Sequence, residues 1–169
     1  MPTTLTGALL SSYRDTIKYD QVLQLTNAKT LPSNHRLRST CLVDDYLVVL
    51  SESTTKTYSL TFINVNTQIK VLSKDLVGLT DPILIPLEDG ILLLSKPGSV
   101  TKLRLTNGSW GELETEALSS DLPSKYTVDP LPRGDNIWLA QGGDLLVINL
   151  TNYTTKTISL TRTAGIALS

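Results

Sequence analysis

Residues 133–152 have the sequence RGDNIWLAQGGDLLVINLTN, and this stretch decides the fold. The turn-forming residues RGDN precede the apolar run IWLA, and the glycine pair at 142–143 precedes a second apolar run that ends at Asn152. Gly, Asp and Asn favour turns, whereas short apolar runs rich in β-branched residues favour strands. The stretch therefore predicts two adjacent antiparallel strands joined by a tight turn.

The same order of signals occurs twice upstream. The turn sequences VDDY at 43–46 and LEDG at 87–90 precede the apolar runs LVVL and ILLL. Such near-continuous apolar runs are typical of strands that are covered on both faces. A second turn and a strand that ends at an asparagine follow in each case. A more polar strand, expected at an exposed sheet edge, closes each repeat; these strands are predicted at 67–72, 109–118 and 154–160.

Recurrent residues set the period of the repeat. Apolar strand patterns end at Asn27, Asn66, Asn107 and Asn152, with spacings of 39, 41 and 45 residues and a mean of about 42. The first turn of each full repeat contains an aspartate: Asp45, Asp89 and Asp135. We interpret all seven residues as structural rather than ligand-binding. A period of this length indicates units that bury their apolar faces only by packing on neighbouring units.

Residues 135–148 resemble the repeats of sensor-type and kelch-like β-propellers, in which an aliphatic-Trp-aliphatic strand is followed by a glycine pair and another strand. The resemblance implies an all-β, propeller-like array of four-stranded antiparallel blades within a single domain, 1–169. Three full repeats are predicted at about 38–76, 80–120 and 126–161.

The two ends are predicted to form one split blade from residues 5–37 and 162–169. The segment GALLSS at 7–12 is similar to GILLLS at 90–95, although apolar positions 9, 10, 13 and 17 also fit one face of a helix. Closure by both termini would hide the exposed edges of the array. The alternative is an open array whose end blades pair with another chain.

Composition excludes several classes of partner. Charged residues make up 18% of the chain and the net charge is −1, so no basic stripe is available to neutralise the phosphates of nucleic acid. The longest apolar runs are four residues, far short of the roughly 20 that span a bilayer.

The first six residues lack the basic and apolar regions of a secretory signal. The localisation is otherwise open, with a virion as one possibility.

Residues suited to catalysis or metal binding are few. The chain has one histidine, His35, in the polar stretch 32–36, and one cysteine, Cys41, so the ligands for a zinc site are too few. The acidic pairs at 44–45 and 88–89 fall in predicted turns, where carboxylates commonly bind the backbone. No nucleophile elbow is present. We therefore predict a protein without catalytic residues, metal or cofactor.

The remaining expectation concerns surfaces. Threonine-rich polar strands and a low charge suit a rigid scaffold that contacts other protein subunits, including copies of itself. The first hypothesis is a structural subunit of a phage or virus particle, in the tail or associated with the capsid. The alternatives are a glycan-binding propeller and a regulatory propeller that serves as an interaction module.

Overall fold

The computed structural model describes residues 4–10, 21–32, 34–123, 128–141 and 143–159. These ranges form fifteen β-strands and no helix, which confirms the prediction of an all-β chain. They accordingly contain no helix long and apolar enough to cross a membrane. The predictions for residues 11–20 and 162–169 lie outside the described residues.

The strands form a hairpin and three sheets in chain order. The hairpin contains β1 (Thr4–Leu10) and β2 (Gln21–Thr30). The first sheet contains β3 (His35–Val43), β4 (Tyr46–Ser53), β5 (Tyr58–Asn64) and β6 (Lys70–Leu76). The second contains β7 (Thr80–Leu87), β8 (Gly90–Lys96), β9 (Ser99–Thr106), β10 (Ser109–Trp110) and β11 (Glu114–Ala117). The third contains β12 (Val128–Arg133), β13 (Asn136–Gln141), β14 (Asp144–Asn149) and β15 (Thr155–Ser159).

The first and third sheets are four-stranded antiparallel meanders, but the second differs at its outer edge. Its outer strand, predicted as one strand over 109–118, is broken into β10 and β11, which both pair with β9. Trp110 pairs with Leu105 and Glu114 with Lys102, so the outer segment has one residue more than β9 between these pairs. The extra residue interrupts the ladder at 111–113, where the sequence pattern had predicted a continuous strand.

The first strand of each sheet has a β-bulge. The register shifts between Leu37 and Ser39 in β3, between Thr80 and Ile83 in β7, and between Val128 and Leu131 in β12. Pro82 and Pro130 lie at two of these bulges. A proline has no N–H to donate, so the unpaired residue of a bulge is a position where a strand tolerates it.

Alternating side chains of the central strands hold the sheets together. Val48 and Leu50 contribute to a core shared with Ile91 and Leu93 of the second sheet. On the opposite face of β8, Leu92 and Leu94 pack with residues of the third sheet that include Ile137, Leu139, Leu146 and Ile148. Leu47 and Val49 face the other way and pack with Leu31, which follows β2. Both faces of β4 and β8 are therefore buried, as their continuous apolar sequences predicted.

Equivalent positions also link neighbouring sheets through aromatic rings. Phe62 lies opposite Val48 and packs on Trp110 of the second sheet. Lys102 lies opposite Leu92, and its Nζ is 5.1 Å from the ring centroid of Tyr153 in the third sheet. In both cases, a residue of the third strand of one sheet contacts an aromatic side chain that follows the third strand of the next sheet.

The first strands of successive units are neighbours, because β1 contacts β3, β3 contacts β7 and β7 contacts β12. Three meanders stacked in this way form a propeller-like arrangement. The sheets occupy residues 35–76, 80–117 and 128–159, beside the predicted repeats 38–76, 80–120 and 126–161. Closure of the array into a ring stays a prediction.

Candidate functional site

A cluster of charged side chains lies at the end of the first sheet where β3 begins and β4 ends. Arg36 and Glu52 are directly opposite each other in the ladder. Lys56 follows four residues later, beyond the end of β4. The side chain of Glu52 is only 1% exposed, although Glu52 is the penultimate residue of β4. A buried carboxylate requires compensating partners, and the neighbouring strands supply them.

Glu52 accepts hydrogen bonds at both carboxylate oxygens. Arg36 donates from Nε and Nη2 to Oε2 at 2.9 and 2.7 Å, and Arg38 Nη1 lies 3.5 Å from the same oxygen. Lys56 Nζ donates to Oε1 at 2.8 Å, and the Tyr58 hydroxyl donates to it at 3.4 Å. Three cations therefore surround one carboxylate.

These contacts keep Glu52 ionised. The hydrogen bond from Lys56, followed by the one from Arg36, lowers the pKa of Glu52 to about 2, against a smaller opposing effect of burial. A carboxyl group with such a low pKa holds no proton to donate near neutral pH, and its oxygens are already occupied by donors. The arrangement therefore suits charge compensation rather than general acid catalysis.

The cluster extends to the second sheet through Asp81. Arg38 Nη2 lies 3.8 Å from Asp81 Oδ1, and Lys96 Nζ lies 3.6 Å from Asp81 Oδ2. Asp81 has a positive φ of 46° and adjoins the bulge in β7. The bulge thus brings a carboxylate to the junction of the two sheets. We call these six residues the charged cluster: Arg36, Arg38, Glu52, Lys56, Asp81 and Lys96.

A pocket of about 470 Å³ adjoins the charged cluster. Its lining contains both charged and neutral polar side chains: Asn34, His35, Arg36, Glu52, Ser53, Thr54 and Lys56. Ser53 Oγ accepts hydrogen bonds from the backbone N–H groups of Thr55 and Thr57, which fixes the turn after β4. The pocket is therefore framed by strand ends and by an ordered turn.

His35 is not the solvated loop residue that the polar stretch 32–36 suggested. It is the first residue of β3, is half-buried, and its Nδ1 lies 2.9 Å from Ser51 Oγ. Cys41 is buried in the core. Among the described residues, no group of three His, Cys, Asp or Glu side chains converges as a metal site would require.

The three turn aspartates occupy equivalent positions at the ends of the first strand pair in each sheet. The backbone carbonyls of Asp45, Asp89 and Asp135 accept hydrogen bonds from the N–H groups of Val65, Leu105 and Leu150, at 2.8, 2.7 and 2.7 Å respectively. All three aspartates are exposed. Each backbone bond ties the first turn of a sheet to the end of its third strand or to the residue that directly follows it.

The recurrent asparagines lie in less uniform positions. Asn66 and Asn152 are in turns where the preceding Asn64 and Asn149 accept their backbone N–H at 2.9 and 3.1 Å. Asn107 is in the two-residue Asn-Gly turn between β9 and β10, with φ of 51°. In the first and third sheets, the side chains that stabilise the turn therefore belong to Asn64 and Asn149. These residues precede the asparagines of the repeat by two and three positions.

Asn27 differs from the other three. The sequence pattern placed it at the end of a strand, but β2 continues to Thr30. The register of the hairpin passes from the pair Leu5–Lys29 to the pair Gly7–Gln24, so Asn27 falls within an irregular part of the strand. The pattern was misleading here because the irregularity absorbs residues that form a turn in the other repeats.

Sequence reasoning did not identify the charged cluster. The available signal was a carboxylate two residues after the apolar run 47–50, followed at i+4 by a lysine. The two arginines are 14 and 16 residues away from Glu52, so only the strand pairing brings them to it. Their alternation in β3 otherwise resembles an ordinary solvated strand face.

The chain is similar to known proteins in structure rather than in sequence. No family model matches the sequence, and no curated protein matches it significantly. The crystal structure of BamB from Moraxella catarrhalis, a β-propeller protein, is similar with a TM-score of 0.41 and 17% sequence identity. The match covers 80% of this chain, which spans 38% of the length of that structure. The superposition is loose, so the propeller-like description rests on the strand order and packing of this chain.

Proposed function

We propose that this chain is a non-enzymatic scaffolding subunit of a larger protein assembly. The proposed setting is a phage or virus particle, in a tail or capsid-associated position. The observation that carries the proposal is an apolar outer face on the third sheet, which has the residue pattern of the faces that join the sheets to one another.

The outer face consists of the side chains of the third sheet that point away from the second sheet. Ile137, Leu139, Leu146 and Ile148 pack against the second sheet. Because side chains alternate along a strand, the intervening residues lie on the other face. They form directly opposed pairs: Trp138 with Val147, and Ala140 with Leu145. All four are half-buried.

The equivalent pairs of the first and second sheets form interfaces. Val48 opposes Phe62 in the first sheet, and Leu92 opposes Lys102 in the second. Val48 and Leu92 are 0% exposed because the next sheet covers them. Within the described part of the chain, the core clusters end at the inner face of the third sheet. The outer face is therefore suited to receive a further sheet.

Trp138 adds a polar requirement to this face. Its Nε1 is buried and has no hydrogen-bond partner among the described residues. An indole N–H that is buried usually has an acceptor. Because Nε1 is already shielded from solvent in the single chain, a covering subunit would have to displace the groups around it to supply a carbonyl or hydroxyl. We propose that the covering subunit is a second copy of this chain.

The glycan-binding alternative needs aromatic rings that are available to stack on sugars. Trp110 is engaged instead with Phe62 and Tyr46, at centroid distances of 4.6 and 5.6 Å. The role as a regulatory interaction module would use the same outer face with a different partner. The scaffold hypothesis is preferred because the face matches the packing faces of this chain itself.

Sedimentation velocity of the purified full chain tests self-association. We expect a mass that is a multiple of the monomer mass and that falls with dilution. Val147→Lys should shift the protein to monomer, because burial of an uncompensated ammonium at the face is unfavourable. Thr67→Lys, at an exposed turn residue of the first sheet, is the control and should not change the mass.

A wild-type chain that remains monomeric at every concentration would refute the self-association. The virion setting is tested separately by mass spectrometry of purified particles from the source of the gene. Absence of the chain from those particles would refute the setting while leaving self-association in place.

A further inference from the structure

We infer that the pocket beside the charged cluster binds a tetrahedral dianionic group, such as the phosphate or sulfate group of a ligand. Arg36 and Lys56 would supply the positive charge, and the hydroxyl group of Thr54 would supply a further hydrogen bond. This site is independent of the outer face of the third sheet.

The charge of the cluster carries the inference. Its cations are Arg36, Arg38, Lys56 and Lys96, and its anions are Glu52 and Asp81. Four positive charges against two negative charges leave an excess of two in the charged cluster, of which one lies in the pocket lining, where Arg36 and Lys56 surround Glu52. A dianion would balance the excess of the whole cluster, whereas a monoanion would balance half of it. The whole chain has a net charge of −1, so this positive excess is local.

The two cations that line the pocket are accessible. The side chains of Arg36 and Lys56 are 65% and 69% exposed, while that of Glu52 is 1% exposed. A guanidinium has five N–H donors and an ammonium has three, so each cation can bind Glu52 and an oxyanion together. Glu52 is also part of the pocket lining, but its charge is already compensated by its hydrogen bonds.

Glu52 has a positioning role in this arrangement. Its carboxylate fixes the ends of two long and otherwise flexible side chains on one side of the pocket. Ordering those side chains before binding reduces the conformational entropy that a ligand must overcome. The ordered turn after β4 holds Ser53 and Thr54 at the same side.

The mixture of charged and hydroxyl donors suits a tetrahedral oxyanion. Phosphate and sulfate oxygens accept several hydrogen bonds from different directions, and arginine binds them through paired N–H groups. The lining consists of charged and polar side chains, among them the imidazole of His35, and contains no large aliphatic side chain that would hold the body of a ligand. We therefore expect recognition of the anionic group and a modest affinity that decreases with salt.

The test is a titration of the full isotope-labelled chain at constant ionic strength. Each step of the titration is monitored by a ¹H–¹⁵N NMR spectrum. The probes are inorganic phosphate, sulfate and acetate. We expect saturable shifts at Ser53, Thr54 and Lys56 with phosphate and sulfate, and a much weaker response to the monoanion acetate. A response to phosphate alone or to sulfate alone would support the site and would identify which of the two anions it prefers.

Two variants separate a specific site from general attraction to cations. Lys56→Gln should weaken phosphate or sulfate binding about fivefold, the equivalent of roughly 1 kcal/mol, and Lys56→Arg should retain it. Lys156→Gln, at an exposed lysine of the third sheet, is the control and should bind as the wild type does. Circular dichroism of each variant verifies the fold.

The inference would be overturned by shifts that do not saturate, by an equal response to acetate, or by unchanged binding in Lys56→Gln. Each of these outcomes would mean that the charged cluster is a structural network of ion pairs and does not bind an anion. None of them bears on self-association through the third sheet.

Discussion

The ring of Phe62 in the first sheet lies 4.6 Å from the ring of Trp110 in the second, centroid to centroid, with the planes inclined at 45°. Phe62 is 0% exposed. Tyr46 approaches Trp110 edge-on at 5.6 Å, and its hydroxyl donates to the carbonyl of Gly108 at 3.0 Å. This aromatic group joins the first two sheets beside the core that Val48 and Leu50 share with Ile91 and Leu93.

Replacement of Phe62 by alanine should therefore destabilise the fold strongly. We expect a loss of about 3–5 kcal/mol, since the change leaves a cavity between the sheets. Ile69→Ala, at a residue that is 61% exposed, is the control and should cost less than about 0.5 kcal/mol. Urea unfolding followed by circular dichroism measures both. Equal effects of the two variants would contradict the role assigned to the aromatic link.

Glu52→Gln should destabilise the chain by about 1–3 kcal/mol, because the cations around residue 52 would lose their counter-charge. The lower part of this range allows for solvent screening at Arg36 and Lys56. Glu112→Gln is a matched control, since Glu112 is 95% exposed and its partner Lys74 is 3.7 Å away. We expect the control to change the free energy of unfolding very little.

The stability of the wild-type chain should depend on pH through Glu52. Its pKa in the folded chain is lowered from 4.5 to about 2, so the folded state binds the proton less readily than the unfolded state. The resulting stabilisation is present above about pH 4.5 and is lost as the pH falls towards 2. Urea unfolding at several pH values should show a weaker dependence over this window in Glu52→Gln. Identical acid profiles for the two proteins would exclude the contribution.

Gly90→Ala should be destabilising because the backbone of β9 approaches too closely. A Cβ at residue 90 would lie 2.2 Å from the carbonyl oxygen of Leu103. Relief of this clash requires separation of β8 from β9, and we expect a cost of about 2–3 kcal/mol. Gly143→Ala is the control, since a Cβ there has no atom within 4 Å. Thermal unfolding compares the two, and a smaller loss at residue 90 would show that the strands adapt.

Cys41 should resist thiol reagents in the folded chain. Its side chain is buried and burial raises the pKa of the thiol, so the reactive thiolate is not available near neutral pH. Reaction with a chromogenic disulfide should become rapid only in denaturant. Rapid labelling of the native protein would show that β3 opens readily, which its buried position does not predict.

Local sequence patterns predicted much of the architecture. The continuous apolar runs of β4 and β8 identified strands that are buried on both faces. The repeated order of turns and strands predicted antiparallel meanders, because turn chemistry and side-chain alternation depend on residues that are close together in sequence.

The same patterns failed where register matters. The break between β10 and β11 and the position of Asn27 within β2 both arise from extra residues in a ladder. A bulge shifts the pairing without changing composition or average alternation. Periodicity therefore cannot locate it.

The amino-acid sequence by itself determined the all-β class, the repeat and the burial of its central strands, since each depends on short-range propensity and alternation. Only the tertiary structure decided which residues meet across strands and sheets. It brought Arg36 to Glu52, Lys102 to Tyr153 and Arg38 to Asp81, pairs that are 16, 51 and 43 residues apart in the sequence. Such contacts follow from strand register and sheet stacking, which are set by the packing of the whole chain.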